Sequence, residues 1–360
     1  MPPDPEEPIV LRVADFGLPE IAEPPDGMVE LRNSVLWPGA NGLHDSAGRP
    51  IEESCLRRGF ALDYYPHGRP EPLDAPSRAL AAASDPFRRI VYLPYARMVH
   101  FGHLLTEFAG NVGPLLAHPQ GVDGIGGEDC VLLVSARSHG STAALAELLG
   151  VPVQRVRSTA DLSGPARAVS AVIPRPSMMN RHGLATRHFS HVRHVLDRLF
   201  GVGPRLSTLA ETSGVGKLYL SRSRLAPGMR RIRDEEAMEA DLARRGWRIL
   251  HPQELPVAEQ LEGLAAAHTI AGCVGSALHL LMAFGEGAGG RRLIALGSTV
   301  SRTNPNVVLQ AARQRVPFRH VVCLEPEADA ASSPVHEFGF MMSPARIAER
   351  LDALASGALV

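Results

Sequence analysis

Cysteine is scarce and an excess of positive or negative charge is missing, and each shortage removes a class of function. The four cysteines, at positions 55, 130, 273 and 323, form no CxxC pair, so neither a zinc knuckle nor a disulfide framework is indicated, and a reducing cytoplasm is the expected home. Lys plus Arg number 37 against 38 Asp plus Glu, a formal net charge of -1, so no global field would hold the chain on nucleic acid or an anionic bilayer. An anionic ligand must be met by a local cluster. The longest apolar run, around Thr269 to Phe284, is short and carries His279; a membrane span needs roughly 20 apolar residues. The amino end, Met1 to Pro8, has prolines and acids in place of the basic and apolar stretches of an export signal. No leader or transmembrane segment is expected, and peripheral membrane association stays open. No solenoid repeat, Walker A loop or G-x-S-x-G elbow is seen, which counts against a phosphotransferase and a hydrolase. Ser138 and His139 put a nucleophile beside a base in sequence only.

At 360 residues the chain exceeds one ordinary core, so two domains of about 150 to 200 residues with a cleft between them are expected. Residues 1 to 30 read as an extended lead-in and Asp63 to Pro86 as a Pro-rich connector. Leu218–Ser221, Trp247–Leu250, Thr269–Cys273, Arg292–Leu296 and His320–Leu324 are short apolar runs, each followed by a helical pattern or a turn. In the first half, Ile90–Tyr95, Val131–Ser135 and Val169–Ile173 read as strands between helices at His103–Leu116, Thr142–Leu149 and Thr186–Phe200. Asp234 stands where an N-cap belongs, ahead of Glu235 and Glu236; Arg244, Arg245 and Gly246 close that helix, and Pro256 opens the next, with His268 near its end. Repeated strand–helix units close as right-handed crossovers, so the expected class is α/β, with a doubly wound parallel sheet whose ligands sit at the carboxyl ends of the strands. The boundaries expected are an amino lobe over 31–205, a carboxyl lobe over 206–342 and a brace helix over 343–360, the last with Ile347, Leu351 and Leu354 on one face.

Two stretches carry chemistry. Lys217, Arg222, Arg224, Arg230, Arg231 and Arg233 fall within seventeen residues at a strand end. Arginine forks suit the paired oxygens of a diphosphate; the plainer reading is a solvated basic loop paired with Glu235, Glu236 and Glu239. The second stretch, Gly272 to His279, follows a strand and opens a helix. Gly275 lets the backbone approach a ligand, and the amides of Ser276 and Ala277 point outward at the helix start, where an anion would rest. This turn is not G-x-G-x-x-G and is of a kind that is commonly structural. In the amino half, His103 and Glu107 are four residues apart, on one helix face. Either serves as a general base, or the pair merely lines a joint; with His100 the set also has metal-binding chemistry, without an evident third well-spaced ligand. The histidines at 182, 188, 191 and 194 drift around a helix and read as part of a polar face.

The order of features from Lys217 to Phe284 resembles glycosyltransferase family 61. The matching residues are Tyr219-Leu-Ser-Arg222, Arg230-Arg231, Asp234-Glu-Glu236, Gly246-Trp-Arg-Ile-Leu250, Pro252-Gln-Glu-Leu255, Glu259-Gln260 and Gly272 through Leu278, then Phe284; Gly102-His-Leu-Leu-Thr-Glu107 is similar to the family's His-rich helix that ends in an acid. Two positions depart from the family pattern: Val274 where a loop histidine is common, and Asp234 in place of asparagine. The resemblance implies a GT-B-like fold of two Rossmann-type lobes facing a cleft, with a nucleotide-sugar donor, UDP-linked, in the carboxyl lobe and a glycan or saccharide acceptor in the amino lobe. It implies inverting transfer with no cofactor and no metal. Donor binding is assigned to Lys217, Arg222, Arg224, Arg231, Glu259, Gln260, Gly275, Ser276, Ala277 and His279, and base catalysis to Glu107 or His103. Val274 motivates the alternative of a non-catalytic member that binds a nucleotide or glycan or scaffolds a partner.

Overall fold

A computed structural model describes residues 9–16, 24, 26–55, 69–98, 101–117, 129–179, 183–211, 214–226, 229, 231–286, 288–298, 305–326 and 338–357. The chain divides into two units, one of residues 21–201 and one that joins residues 1–20 to 202–360. Each holds its own mainly parallel sheet. The first strand, β1 (Ile9–Leu11), belongs to the second unit, where it is the antiparallel edge.

In the 21–201 unit, β2 (Met28–Leu36) is followed by α1 (Ala75–Ala83) and β3 (Pro86–Leu93). A continuous helix, here α2, then runs from Phe101 to Ala117 and contains a π-helical stretch at Leu104–Phe108. After it come β4 (Cys130–Val134), α3 (Thr142–Leu149), β5 (Val156–Ser158), β6 (Ala166–Pro174), the short pair β7 (Met178–Met179) and β8 (Gly183–Leu184), and α4 (His188–Phe200). The strand order is β2-β6-β3-β4-β5, parallel except for β2. β3 therefore has a later strand, β4, on one side and the last parallel strand, β6, on the other, and the order reverses between β3 and β6. Ala75–Ala83 is helical although it lies inside the stretch expected to be a connector. Asp74 accepts the amide of Ser77 at 2.8 Å and Pro76 stands in the first turn, an N-cap and N1–N2 proline that start a helix of which only Ala81 is buried.

In the second unit, α5 (Gly203–Glu211) leads to β9 (Gly216–Leu220), α6 (Glu235–Arg244), β10 (Trp247–Leu250), α7 (Val257–Ala265), β11 (Ala267–Cys273), the one-turn α8 (Ser276–His279), β12 (Arg292–Gly297), α9 (Pro305–Gln314) and β13 (Phe318–Val322). The order is β1-β13-β12-β11-β9-β10. Counted from β9, this is the flavodoxin-type order, in which the first strand lies between the second and the third. The switch point falls between β9 and β11. His268, expected at a helix end, is inside β11. A two-stranded ribbon, β14 (Leu324–Pro326) with β15 (Phe338–Phe340), precedes the last helix, α10 (Pro344–Ser356).

The apolar stripe of α10 is spent within its own unit. Ile347, Ala348, Leu351 and Leu354 join Met238 and Leu242 of α6 and Tyr219, Ile294, Leu296 and Val321 of the sheet in one buried cluster. At about 1.5–3 kcal/mol per fully buried large aliphatic side chain, this face contributes a substantial share of the unit's stability. The opposite face buries Leu218, Ile270 and Leu293 with Leu261, Leu264, Val307 and Val308, so the sheet is apolar on both sides, as a parallel sheet must be.

Candidate functional site

Two groups of polar side chains stand at the carboxyl ends of strands, one in each unit. In the 21–201 unit, α2 follows β3 and the Arg175–Met178 segment follows β6, so both elements start at that sheet's switch point. The π-helical turn carries Glu107, which is buried, and His103 is half-exposed one turn earlier. His103 Nδ1 lies 3.0 Å from a Glu107 carboxylate oxygen, which also accepts the Thr106 hydroxyl. Burial pushes the Glu107 pKa upward, but the bonds from His103 and Thr106 outweigh it and hold the carboxyl below its ordinary value. The bond to Glu107 raises the His103 pKa against the opposing effect of burial. The result is a carboxylate-oriented imidazole, an arrangement with the chemistry to accept a proton.

Behind this pair, His188 and His191 are not a polar surface. Both rings are buried, and their Nδ1 atoms lie 2.9 and 2.8 Å from the hydroxyl of Ser177, while His188 Nε2 lies 2.9 Å from the carbonyl of Leu105. A Cβ on Gly113 would overlap the His191 side chain, so that glycine sets how closely α4 approaches α2. The two histidines thus tie the segment after β6 to the π-helical turn. His182 and His100 lie outside the described residues.

In the second unit, the site is built by residues that leave β9, β10 and β11. Arg222 follows β9. Its Nη1 lies 3.5 Å from the sulfur of Cys273 at the end of β11, and its Nη2 sits where a Cβ of Gly275 would be. The guanidinium is therefore laid over the glycine that starts α8, beside the first amides of that helix, Ser276 and Ala277. Both amides precede the first intrahelical bond and point outward. The result is a cation and outward amide donors at one switch point, the donor set that an anionic oxygen requires.

Sequence reasoning missed the acids beneath this arginine. Asp234 adopts a left-handed backbone, φ 59°, with no side-chain cap bond, and that turn directs Glu235 under the end of β9. Glu235 accepts the Tyr219 hydroxyl at 2.6 Å and the Arg222 amide at 3.1 Å to each oxygen. Glu239, one turn on, accepts the Ser221 hydroxyl, and its other oxygen lies 3.9 Å from His251 Nε2 at the end of β10. The signal was available in Glu235 and Glu239, spaced i and i+4, but their assignment to surface pairing concealed it.

Other expected donor residues have different duties. Lys217, the chain's single lysine, stands at the amino end of β9, away from Arg222. It bonds Asp352 at 2.6 Å and the carbonyl of Arg245 at 2.7 Å. Gln260 donates to the carbonyls of Pro252 and Leu255 at 2.8 and 2.9 Å, closing the turn before α7, and Glu259 beside it is exposed. His279 is buried, with Nδ1 3.0 Å from Gln310. Arg224 makes an exposed pair with Glu254 at 2.7 Å. Arg231 lies where the chain bridges to β15, its carbonyl accepting Phe338 N at 2.9 Å. Arg222, Gly275, Ser276 and Ala277 are the members brought together.

Residues 101–290, more than half of the chain, match the sequence profile of Glycosyltransferase 61. The chain belongs to glycosyltransferase family 61. The match opens on α2, with His103 and Glu107, and closes beyond α8. A search of curated proteins finds no match. Transfer of a sugar from a donor to an acceptor is the activity of glycosyltransferases. Among the described residues no helix is long and apolar enough to cross a membrane.

The two family departures receive a structural account. Asp234 replaces asparagine where φ is positive, and those are the two residues besides glycine that most readily adopt a left-handed backbone. Val274 donates its amide to the carbonyl of Leu296 at 2.8 Å, a backbone bond that any side chain permits. Glu235 adds a pH signature to this glycosyltransferase. Burial pushes its pKa up to about 7 from 4.5, partly offset by the bonds from Tyr219 and Arg222. The folded state therefore keeps a proton that the unfolded chain has released, and stability falls as pH rises across that window. Glu235→Gln does not titrate, so its stability relative to the native chain should improve between pH 4.5 and 7, by at most ~3 kcal/mol at ~1.4 kcal/mol per pKa unit. Denaturant midpoints at pH 5 and pH 8 test this; an unchanged gap between the two proteins refutes it.

Proposed function

We propose that this glycosyltransferase takes its sugar from a nucleotide-sugar, UDP-linked, and places it on a glycan acceptor with inversion, as a GT-B enzyme whose 202–360 unit holds the donor and whose 21–201 unit holds the acceptor. The observation that carries the reading is the meeting of Arg222 with Gly275 where the strand order reverses, since doubly wound sheets bind nucleotides at that point. In the reaction the acceptor oxygen attacks the anomeric carbon, the bond from that carbon to the diphosphate oxygen breaks, and the acceptor's proton must leave. Arg222 and the amides of Ser276 and Ala277 supply positive charge and donors for the leaving diphosphate. His103, oriented by Glu107, takes the proton. One base and one charge stabiliser suit a single displacement, which inverts the anomeric centre. No cofactor or metal enters these steps. All four cysteines are free and buried, which supports a cytoplasmic setting.

The donor assignment is tested by thermal shift with a panel of uridine- and guanosine-diphosphate sugars. A ligand at 100 times its Kd stabilises by ~2.7 kcal/mol, and each kcal/mol raises the midpoint of a domain this size by roughly 2–4 °C. A rise of several degrees with a UDP-sugar is expected. No rise with any member at millimolar concentration overturns the donor reading.

A further inference from the structure

Outside the residues that match the family profile, the 21–201 unit contains a cavity of about 500 Å³ between the Trp37–His44 loop and the Arg69–Ser77 segment. That volume lies within the ~300–1,000 Å³ of small-molecule sites and has room for about two sugar rings.

Both walls are pinned in place. In the first loop, Gly39 N donates to the carbonyl of Thr159 at 2.8 Å, the Thr159 hydroxyl donates to Ala40 O at 2.6 Å, and Asn41 Oδ1 accepts the amide of Arg137 at 3.2 Å. The second wall is tied to the first: His44 Nε2 bonds the carbonyl of Glu71 at 2.8 Å, and Leu73 N donates to Gly48 O at 2.8 Å. Gly42 is close enough to Pro70 that an added Cβ would lie 2.9 Å from its ring. A cavity held this way exists before a ligand arrives, so little ordering cost is charged to binding.

The chemistry of the lining selects the ligand. Trp37 is partly exposed and lines the cavity; an indole face accepts the C–H face of a sugar ring, and its N–H serves a hydroxyl. Glu71 and Asp74 contribute two carboxylates against the single guanidinium of Arg69, which is already bonded to Glu52 at 2.9 Å. The excess of negative charge repels a phosphate or uronate and leaves a neutral polyol as the complement, because carboxylates and amides accept and donate to hydroxyls. His44 Nδ1, a buried polar atom of the lining residues, has no partner; with Nε2–H given to Glu71, that nitrogen is an acceptor.

We propose that the Trp37 cavity is a subsite for a neutral saccharide, holding part of the acceptor glycan. The assignment to the acceptor rests on the glycosyl-transfer reading above, whereas saccharide binding by the cavity does not. The chain has 2 tryptophans, and the other, Trp247, is buried and donates to Asp352 at 3.0 Å, so ligand-dependent emission reports on Trp37. The native chain is titrated with neutral gluco-, galacto-, manno- and xylo-oligosaccharides, followed by tryptophan fluorescence and by calorimetry. At least one series should give a saturable change. Trp37→Ala should weaken its binding 10-fold or more, and Trp37→Phe should recover most of the loss. The nucleotide-sugar thermal shift of Trp37→Ala should equal that of the native chain. No response to any oligosaccharide, or equal calorimetric affinity in Trp37→Ala, overturns the subsite while leaving the donor site standing. Oligosaccharide binding without any nucleotide-sugar shift supports the subsite and counts against the donor site alone.

Discussion

Arg222→Ala is expected to lower kcat/KM by about 100- to 1,000-fold, the cost of removing one preorganised stabiliser of a leaving group's charge. The side chain is held at the end of β9 by its own backbone bond to Glu235 and by the approach to Cys273 and Gly275, so the guanidinium is in place before the donor arrives. Arg222→Lys should recover little, because a point charge does not reproduce a bidentate fork. A subtler test leaves the arginine in the chain. In Gly275→Ala the new methyl would occupy the position of Nη2, the far end of a flexible side chain, and Gly275 has an extended backbone that alanine also adopts, φ 167° and ψ -169°. The fold should survive with a midpoint within a few degrees, while the displaced guanidinium weakens donor binding by about 10-fold or more. Steady-state kinetics against donor concentration, with melting curves on both variants, decide it. Native donor affinity in Gly275→Ala would show that the contact with Arg222 has no part in binding.

His103→Ala is expected to lower kcat by about 100- to 10,000-fold, the range of general-base contributions. Glu107→Gln distinguishes a base pair from a packing pair. A base works deprotonated, so the rate rises with pH through the His103 pKa. Glu107 raises that pKa through its hydrogen bond, and the glutamine variant should shift the acidic limb of the pH–rate profile to lower pH while reducing its plateau. A structural role alone would lower stability and leave the limb where it was.

Much of the framework was legible because it is local. Trp247–Leu250 and Thr142–Leu149 have the bounds expected from their patterns, and α10 carries its stripe at Ile347, Leu351 and Leu354 as the helical period requires. The side chains whose contacts the sequence did not show share a cause. Lys217 and Arg222 are neighbours in sequence, but a strand five residues long separates its two ends by ~16 Å; β11 runs parallel to β9 along its length, so the turn that follows β11 meets the Arg222 end and not the Lys217 end. Gln260 was read as a ligand contact because a polar side chain on a helix shows no sign, in sequence, of the two carbonyls it closes. His188 and His191 looked solvated for the same reason, since their partner Ser177 comes from the segment after β6.

The sequence by itself determined the alternation of strands and helices, the end-of-strand place of Arg222, the helix-opening place of Gly275 and the shared face of His103 and Glu107. These follow from periods of 2 and 3.6 residues and from the backbone chemistry of glycine. Only the tertiary structure decided that β11 lies against β9 rather than beyond β10, because strand order depends on how helices cover both faces of a sheet and not on any one segment's pattern. That choice brings Arg222 onto Gly275. It also buries Glu235 beneath them, where desolvation moves a proton that the sequence assigns to no particular pH.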